Sequence, residues 1–169
     1  DYSSITIKRD AYWESQVAAR RWNVDDDHAQ IGKPIDRGRW GLTPPASDAY
    51  YNPSLNEIVF PAGILQPPAF SLNAVDAFNY GGIGVVIGHE ISHGFDDQGA
   101  QFDAYGKLDN WWSKADLEQF HARGQCVIDQ FEHYFIEPNI HHQGKLVLGE
   151  SIGDLGGINL AYRAFLKAQ

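Results

Sequence analysis

His89 and His93 stand four residues apart, with Glu90 directly after the first, in the stretch VVIGHEISHGFDDQG. On a helix, residues at i and i+4 project from one face about one turn apart. Two imidazole nitrogens so placed can reach one zinc ion at about 2.0–2.1 Å. Glu90 falls one step round from His89, beside the ion but poorly placed to bind it. There it can take a proton from a zinc-bound water, whose pKa the metal lowers from 15.7 to about 7. HExxH alone is a moderately specific signal. The competing reading is a partly buried apolar helix carrying incidental histidines.

A catalytic zinc needs a third protein ligand and an open fourth position. The continuation HExxHxxGxxH would require glycine at 96 and histidine at 99. The chain has Asp96 and Gly99, which excludes that solution. A glutamate from a later helix is the other common one. GESIGDLGG, residues 149–157, offers Glu150 with Asp154 four residues on. On a helix the two carboxylates share a face. Glu150 can bind the metal while Asp154 accepts the free N–H of a ligand histidine and fixes its tautomer. Taken alone, Glu150 and Asp154 read as a solvated acidic face near a helix N-terminus. Coupled to HExxH, that reading weakens. Gly153, Gly156 and Gly157 would let this helix approach the histidine helix closely.

Several elements must position these groups. Apolar spacing predicts a helix over residues 8–22. Residues 23–47, rich in Asp, Gly and Pro, read as loop. DAYY and EIVF read as two short strands joined by the turn-forming NPSLN. Asn73 to Phe95 reads as one helix despite four interior glycines, which suggest that another element packs very close. Ser113 is a predicted N-cap for a helix to about Phe135, with Asp116 at its third position. EPNIHHQGK reads as loop, and Gly149 to Ala168 as helix.

Composition sets the class. The chain has 169 residues, 43% hydrophobic and 21% charged, enough for one domain with a sizeable core. The net charge of −9 argues against a nucleic-acid backbone as partner. No run of about 18 apolar residues exists, so no membrane span is expected. The first residues, DYSSITIKRD, lack the pattern of a signal peptide. Methionine is absent, and the chain reads as a piece of something longer. Cys126 is the one cysteine, expected to be a buried apolar residue or to pair outside this stretch.

Other residues weigh less. Asp96 and Asp97 could support His93, a reading no stronger than plain loop. His141 and His142 are expected to be solvated, and His28, His121 and His133 have no partner pattern. GGIGVVIG runs straight into HExxH without a preceding strand, so it is not a dinucleotide loop. Trp111 and Trp112 are expected to anchor the core.

From about Ile31 onward the chain resembles the neprilysin-like M13 zinc endopeptidases, including bacterial PepO-type enzymes. The resemblance rests on IGKPIDRGRWGLTP, AYYNPSLNEIVFPAGILQPPAF, NYGGIGVVIGHEISHGFDDQG, DNWW and GESIGDLGGINLAY, in that order. It implies an α+β, mainly α-helical, thermolysin-like zincin (gluzincin) domain with a short β-hairpin near residues 48–60. It implies one Zn2+ per chain on His89, His93 and Glu150, with Glu90 as general base. Asp154 matches the family's ExxxD aspartate, described as orienting a zinc histidine and as a proton donor. Asp48 and Ala49 match the family's Asn-Ala substrate-binding element, with aspartate in place of asparagine. Asp48 keeps the acceptor but loses the amide donor; Ala49 acts through its backbone.

The resemblance also implies peptide substrates and an extracytoplasmic location. It makes residues 1–169 a partial catalytic domain, without the C-terminal part and the N-terminal covering region. Exposed apolar surface would then favour self-association or docking with those segments. The alternative is a catalytically silent zinc-binding or interaction fragment, against which Glu90 argues, since a silent site has no use for a base. A structural zinc site fits poorly with a single cysteine.

Overall fold

The computed structural model describes residues 2–169, which form two compact units divided after Arg39. The first unit is built on helix α1, Tyr12–His28. It starts later and ends later than the apolar spacing predicts. Its last turns carry Asp25, Asp26 and Asp27, a poor match for the negative end of a helix dipole. Arg39 offsets that charge, with its guanidinium 2.8 Å from Asp26 and 3.1 Å from Asp27. That partner is twelve or more residues away, so helical periodicity does not report it.

The second unit, from Trp40 to Gln169, is mainly helical with two small antiparallel hairpins. Strands β1 (Tyr50–Asn52) and β2 (Glu57–Val59) pair Tyr50 with Val59 and Asn52 with Glu57. The turn between them closes as its composition predicts: Asn52 Oδ1 accepts from Ser54 N at 3.1 Å, and Asn56 takes a positive φ of 46°. The second hairpin, β3 (Phe135–Glu137) and β4 (Ile140–His141), begins at the predicted end of a helix, Phe135, and runs into the stretch read as loop. Its two strands are short and each of their residues is exposed, so no buried face leaves an alternating pattern in the sequence.

The single helix predicted over residues 73–95 is two helices, α2 (Asp76–Gly81) and α3 (Ile83–His93). Gly82 breaks them with φ −95° and ψ −101°. The cause is the Ala69 carbonyl, which accepts from Ile83 N at 2.8 Å and occupies the place of a Gly82 side chain. Helix α4 spans Lys114–Glu132, and Ser113 Oγ caps it by accepting from Asp116 N at 3.1 Å. Helix α5 spans Leu148–Ala168.

The main packing of this unit is α3 against α5. A Cβ on Gly88 would lie 2.8 Å from Gly157 Cα, and one on Gly157 would lie 2.6 Å from the Val85 carbonyl oxygen. The two backbones therefore touch with no side chain between them. Ile83, Leu148 and Ala161 are buried in this unit, with Val59 and Ala100. Leu155, Ile158 and Tyr162 of α5 are exposed. Gly157→Ala is expected to destabilise the protein by about 1–3 kcal/mol, because the new methyl meets backbone that cannot swing aside. Denaturant titration checks this, and an unchanged midpoint would show that the helices separate without cost.

Two expectations are corrected. Cys126 is exposed rather than buried, with Sγ 3.7 Å from the Ala122 carbonyl. Its position on α4 turns it away from the packed face. Trp111 is exposed and Trp112 half-buried. They stack on each other at 4.5 Å and donate their indole N–H groups to Phe102 and Ala100 carbonyls, both at 2.9 Å. They pin the loop after α3 rather than fill a core. Among the described residues, no helix is long and apolar enough to cross a membrane.

Candidate metal centre

His89, Glu90 and His93 lie on α3, and Glu150 and Asp154 on the first turns of α5. Because the glycines bring these helices together, groups about 60 residues apart in sequence become neighbours. His89 Nε2 is 3.3 Å and His93 Nε2 3.9 Å from the same oxygen, Glu150 Oε2. One ligand atom from each of the three residues falls within 4.8 Å of the others. The two imidazoles meet edge to face, with centroids 4.5 Å apart.

Each histidine is held from behind by a carboxylate. His89 Nδ1 lies 3.0 Å from Asp154 Oδ1, and His93 Nδ1 2.7 Å from Asp96 Oδ2. A ring that gives its Nδ1–H to a carboxylate keeps the Nε2 lone pair free. Both free nitrogens then face Glu150. Two imidazoles and one carboxylate, with a side left open to a cleft, are a donor set that fits zinc.

Asp96 is itself anchored by the backbone N–H groups of Gln98 and Gly99, each donating to Oδ1 at 2.7 Å. Burial pushes this carboxyl up, but the hydrogen bonds from His93, Gly99 and Gln98 outweigh it and hold it below the usual range. The same bond raises His93, against the lowering effect of burial. Asp97 does not reach His93. One of its oxygens accepts from Gln98 Nε2 at 3.2 Å, and the other is buried without a partner. Asp96 is thus the site residue that sequence reasoning left undecided against plain loop. Its only signal is the i+3 spacing from His93.

Glu90 is buried, with 6% of its surface exposed. Burial raises its pKa, His93 and His89 pull it back down, and Asp48 and Glu150 push it up. A carboxyl held above its ordinary range is suited to accept a proton near neutral pH. Glu90 shares a cleft of about 410 Å³ with Asp48, Ala49, His89, His93 and Glu150. Strand β1 forms one wall of it through Tyr50 and Tyr51. His141 and His142 stand apart from this site: His141 stacks on Phe135 at 4.2 Å and its Nδ1 meets the Glu132 carbonyl at 2.9 Å.

Known proteins are similar along almost the whole chain. An endothelin-converting enzyme homolog from Locusta migratoria is 44% identical over 166 residues, covering 98% of this chain and 23% of that protein. Human endothelin-converting enzyme 1 is 43% identical, with 97% and 21% covered. The crystal structure of the zinc metalloprotease ZMP1 from Mycobacterium tuberculosis in complex with an inhibitor superposes with a TM-score of 0.94 at 46% identity, covering 99% of this chain and 26% of that one. PepO from Lactobacillus rhamnosis superposes at 0.82 with 35% identity, covering 95% and 26%. The chain therefore spans about a fifth to a quarter of the length of these relatives. Residues 48–169, which include every residue of the candidate centre, match the model of one family, and the chain belongs to Peptidase family M13.

Proposed function

We propose that this chain carries the metal centre of a zinc-dependent endopeptidase with a thermolysin-like zincin fold. The observation that carries this reading is the pair of histidine Nε2 atoms facing Glu150 Oε2 while both Nδ1 atoms are held by carboxylates. His89, His93 and Glu150 would hold the ion. When bound, zinc supplies Lewis acidity toward a scissile carbonyl and lowers the pKa of water. Glu90 accepts the proton that the attacking water gives up and passes it to the leaving amine nitrogen. Asp154 and Asp96 keep the two imidazoles in the ligating tautomer. The free edge of β1 offers backbone groups of Ala49 and its neighbours to an extended peptide, in the manner of an added strand. Buried Glu90 separates this reading from a silent metal-binding domain, in which a base has no task.

The share of its relatives' length that the chain spans supports reading residues 1–169 as part of a larger catalytic domain. The family resemblance supports an extracytoplasmic location. The test is cleavage of internally quenched peptides by the zinc-loaded protein. Cleavage should stop on chelation and return with zinc. Chelator-insensitive cleavage, or failure to take up zinc, would refute the reading.

Asp154→Asn keeps an acceptor beside His89 and removes the charge that supports the imidazole. It should weaken zinc binding about 10–100-fold without unfolding the protein. Competition against a chromophoric chelator measures this, and equal zinc affinity in variant and wild type would remove Asp154 from the role.

A further inference from the structure

Four carboxylates line the cleft, from Asp48, Glu90, Asp96 and Glu150, and among the described residues no lysine or arginine does. The charge of the whole chain is distributed in the same sense. Residues 1–39 carry seven acidic and seven basic residues, and residues 40–169 carry fifteen acidic and six basic. The entire excess negative charge therefore lies in the unit that contains the cleft.

Three of the four carboxylates have an occupation. Asp96 holds His93, Glu150 faces both histidines, and Glu90 is buried beside them. Asp48 is different. It is exposed, and its Oδ1 accepts only the N–H of the next residue, Ala49, at 2.9 Å. Its position is also specific. It immediately precedes the stretch Ala49–Tyr51 that walls the cleft, and among the described residues β1 pairs with β2 alone, which leaves its other edge without a strand. Asp48 itself lines the cleft that an extended peptide on that edge would enter.

We infer that Asp48 is a specificity-determining residue that selects peptides carrying a lysine or arginine side chain close to the scissile bond. The inference rests on the peptide-hydrolase reading above and adds the substrate class to it. An amide in place of this carboxylate would hold a peptide by neutral hydrogen bonds alone. A carboxylate with a free oxygen instead offers a guanidinium or ammonium a charge-assisted partner. An exposed ion pair supports a preference of up to about fivefold, and the partly enclosed cleft extends that to about tenfold.

The test separates binding from turnover. N-acetylated, C-amidated peptides that differ only by lysine, glutamine or glutamate at one position are titrated onto the zinc-loaded Glu90→Gln protein. The position is moved through the residues on either side of the bond. Lysine should bind about five- to tenfold better than glutamine at one position in low salt, and high salt should erase most of the difference. Adding Asp48→Asn should reduce the preference to below about twofold, and Asp48→Lys should turn it toward glutamate. A purely structural Asp48 would not reverse the preference. A lysine preference that survives Asp48→Asn, with circular dichroism unchanged, overturns the inference, as does equal binding of lysine and glutamine at every position. Charge-selective binding without cleavage by the wild-type protein would refute the hydrolase reading and leave Asp48 in its role. Cleavage without charge preference would do the reverse. Failure of every peptide to bind would refute both.

Discussion

Under the proposed mechanism, Glu90→Gln is expected to lower peptide hydrolysis by about 10²–10⁴-fold and to leave zinc uptake intact, the range expected for loss of a positioned general base. Glutamine matches the shape of glutamate and fills the same buried position beside His89 and His93. It cannot accept a proton, so the proposed activation of water loses its base. The proposed metal ligands His89, His93 and Glu150 keep their positions, because the substitution changes only the neighbouring side chain on α3. Steady-state turnover on the protein, alongside zinc content by atomic emission, decides the matter. Turnover within tenfold of wild type at full zinc occupancy would remove Glu90 from the role of base.

Gly153→Ala is expected to weaken zinc binding at the proposed centre by about 100-fold or more, the upper end of what losing one support of a ligand histidine does. Gly153 lies three residues after Glu150 on α5, under the His89 ring. A Cβ there would stand 2.7 Å from His89 Cε1, 2.8 Å from Nδ1 and 3.0 Å from Nε2. The ring has nowhere to retreat without loss. Its Nδ1 is held by Asp154, its Nε2 faces Glu150, and its edge meets His93. One of these contacts must break to admit the methyl group. Gly81→Ala is the control, since a Cβ at Gly81 meets nothing within 4 Å. Chelator competition gives the zinc dissociation constants. A Gly153→Ala value within about threefold of wild type would show that the ring is not confined, since losing even one support costs more.

These two variants mark the line between what is local and what is tertiary. His89, Glu90 and His93 are legible because their relation is a property of one helix, and 3.6 residues per turn place them whatever surrounds them. The Ser113 cap and the Asn52–Asn56 turn are legible for the same reason: donor and acceptor lie within a few residues of each other. Glu150 and Asp154 are legible as a pair, also at i and i+4, and only the HExxH stretch elsewhere in the chain points them toward a metal.

Nothing in the chain's order places that pair against the histidines at a given distance. The contact of Gly88 with Gly157 does so, by letting two backbones touch. The choice of Asp96 over Asp97 as the partner of His93 depends on the loop closed by Gln98 and Gly99 N–H groups, whose path no periodicity encodes. The break at Gly82 comes from a carbonyl thirteen residues upstream, and the added turns of α1 from Arg39. Residue types and short spacings thus determined which groups could bind zinc and carry a proton. Only the tertiary structure decided which carboxylate stands behind each histidine and that a free aspartate lines the cleft, because those relations are made by packing between segments distant along the chain.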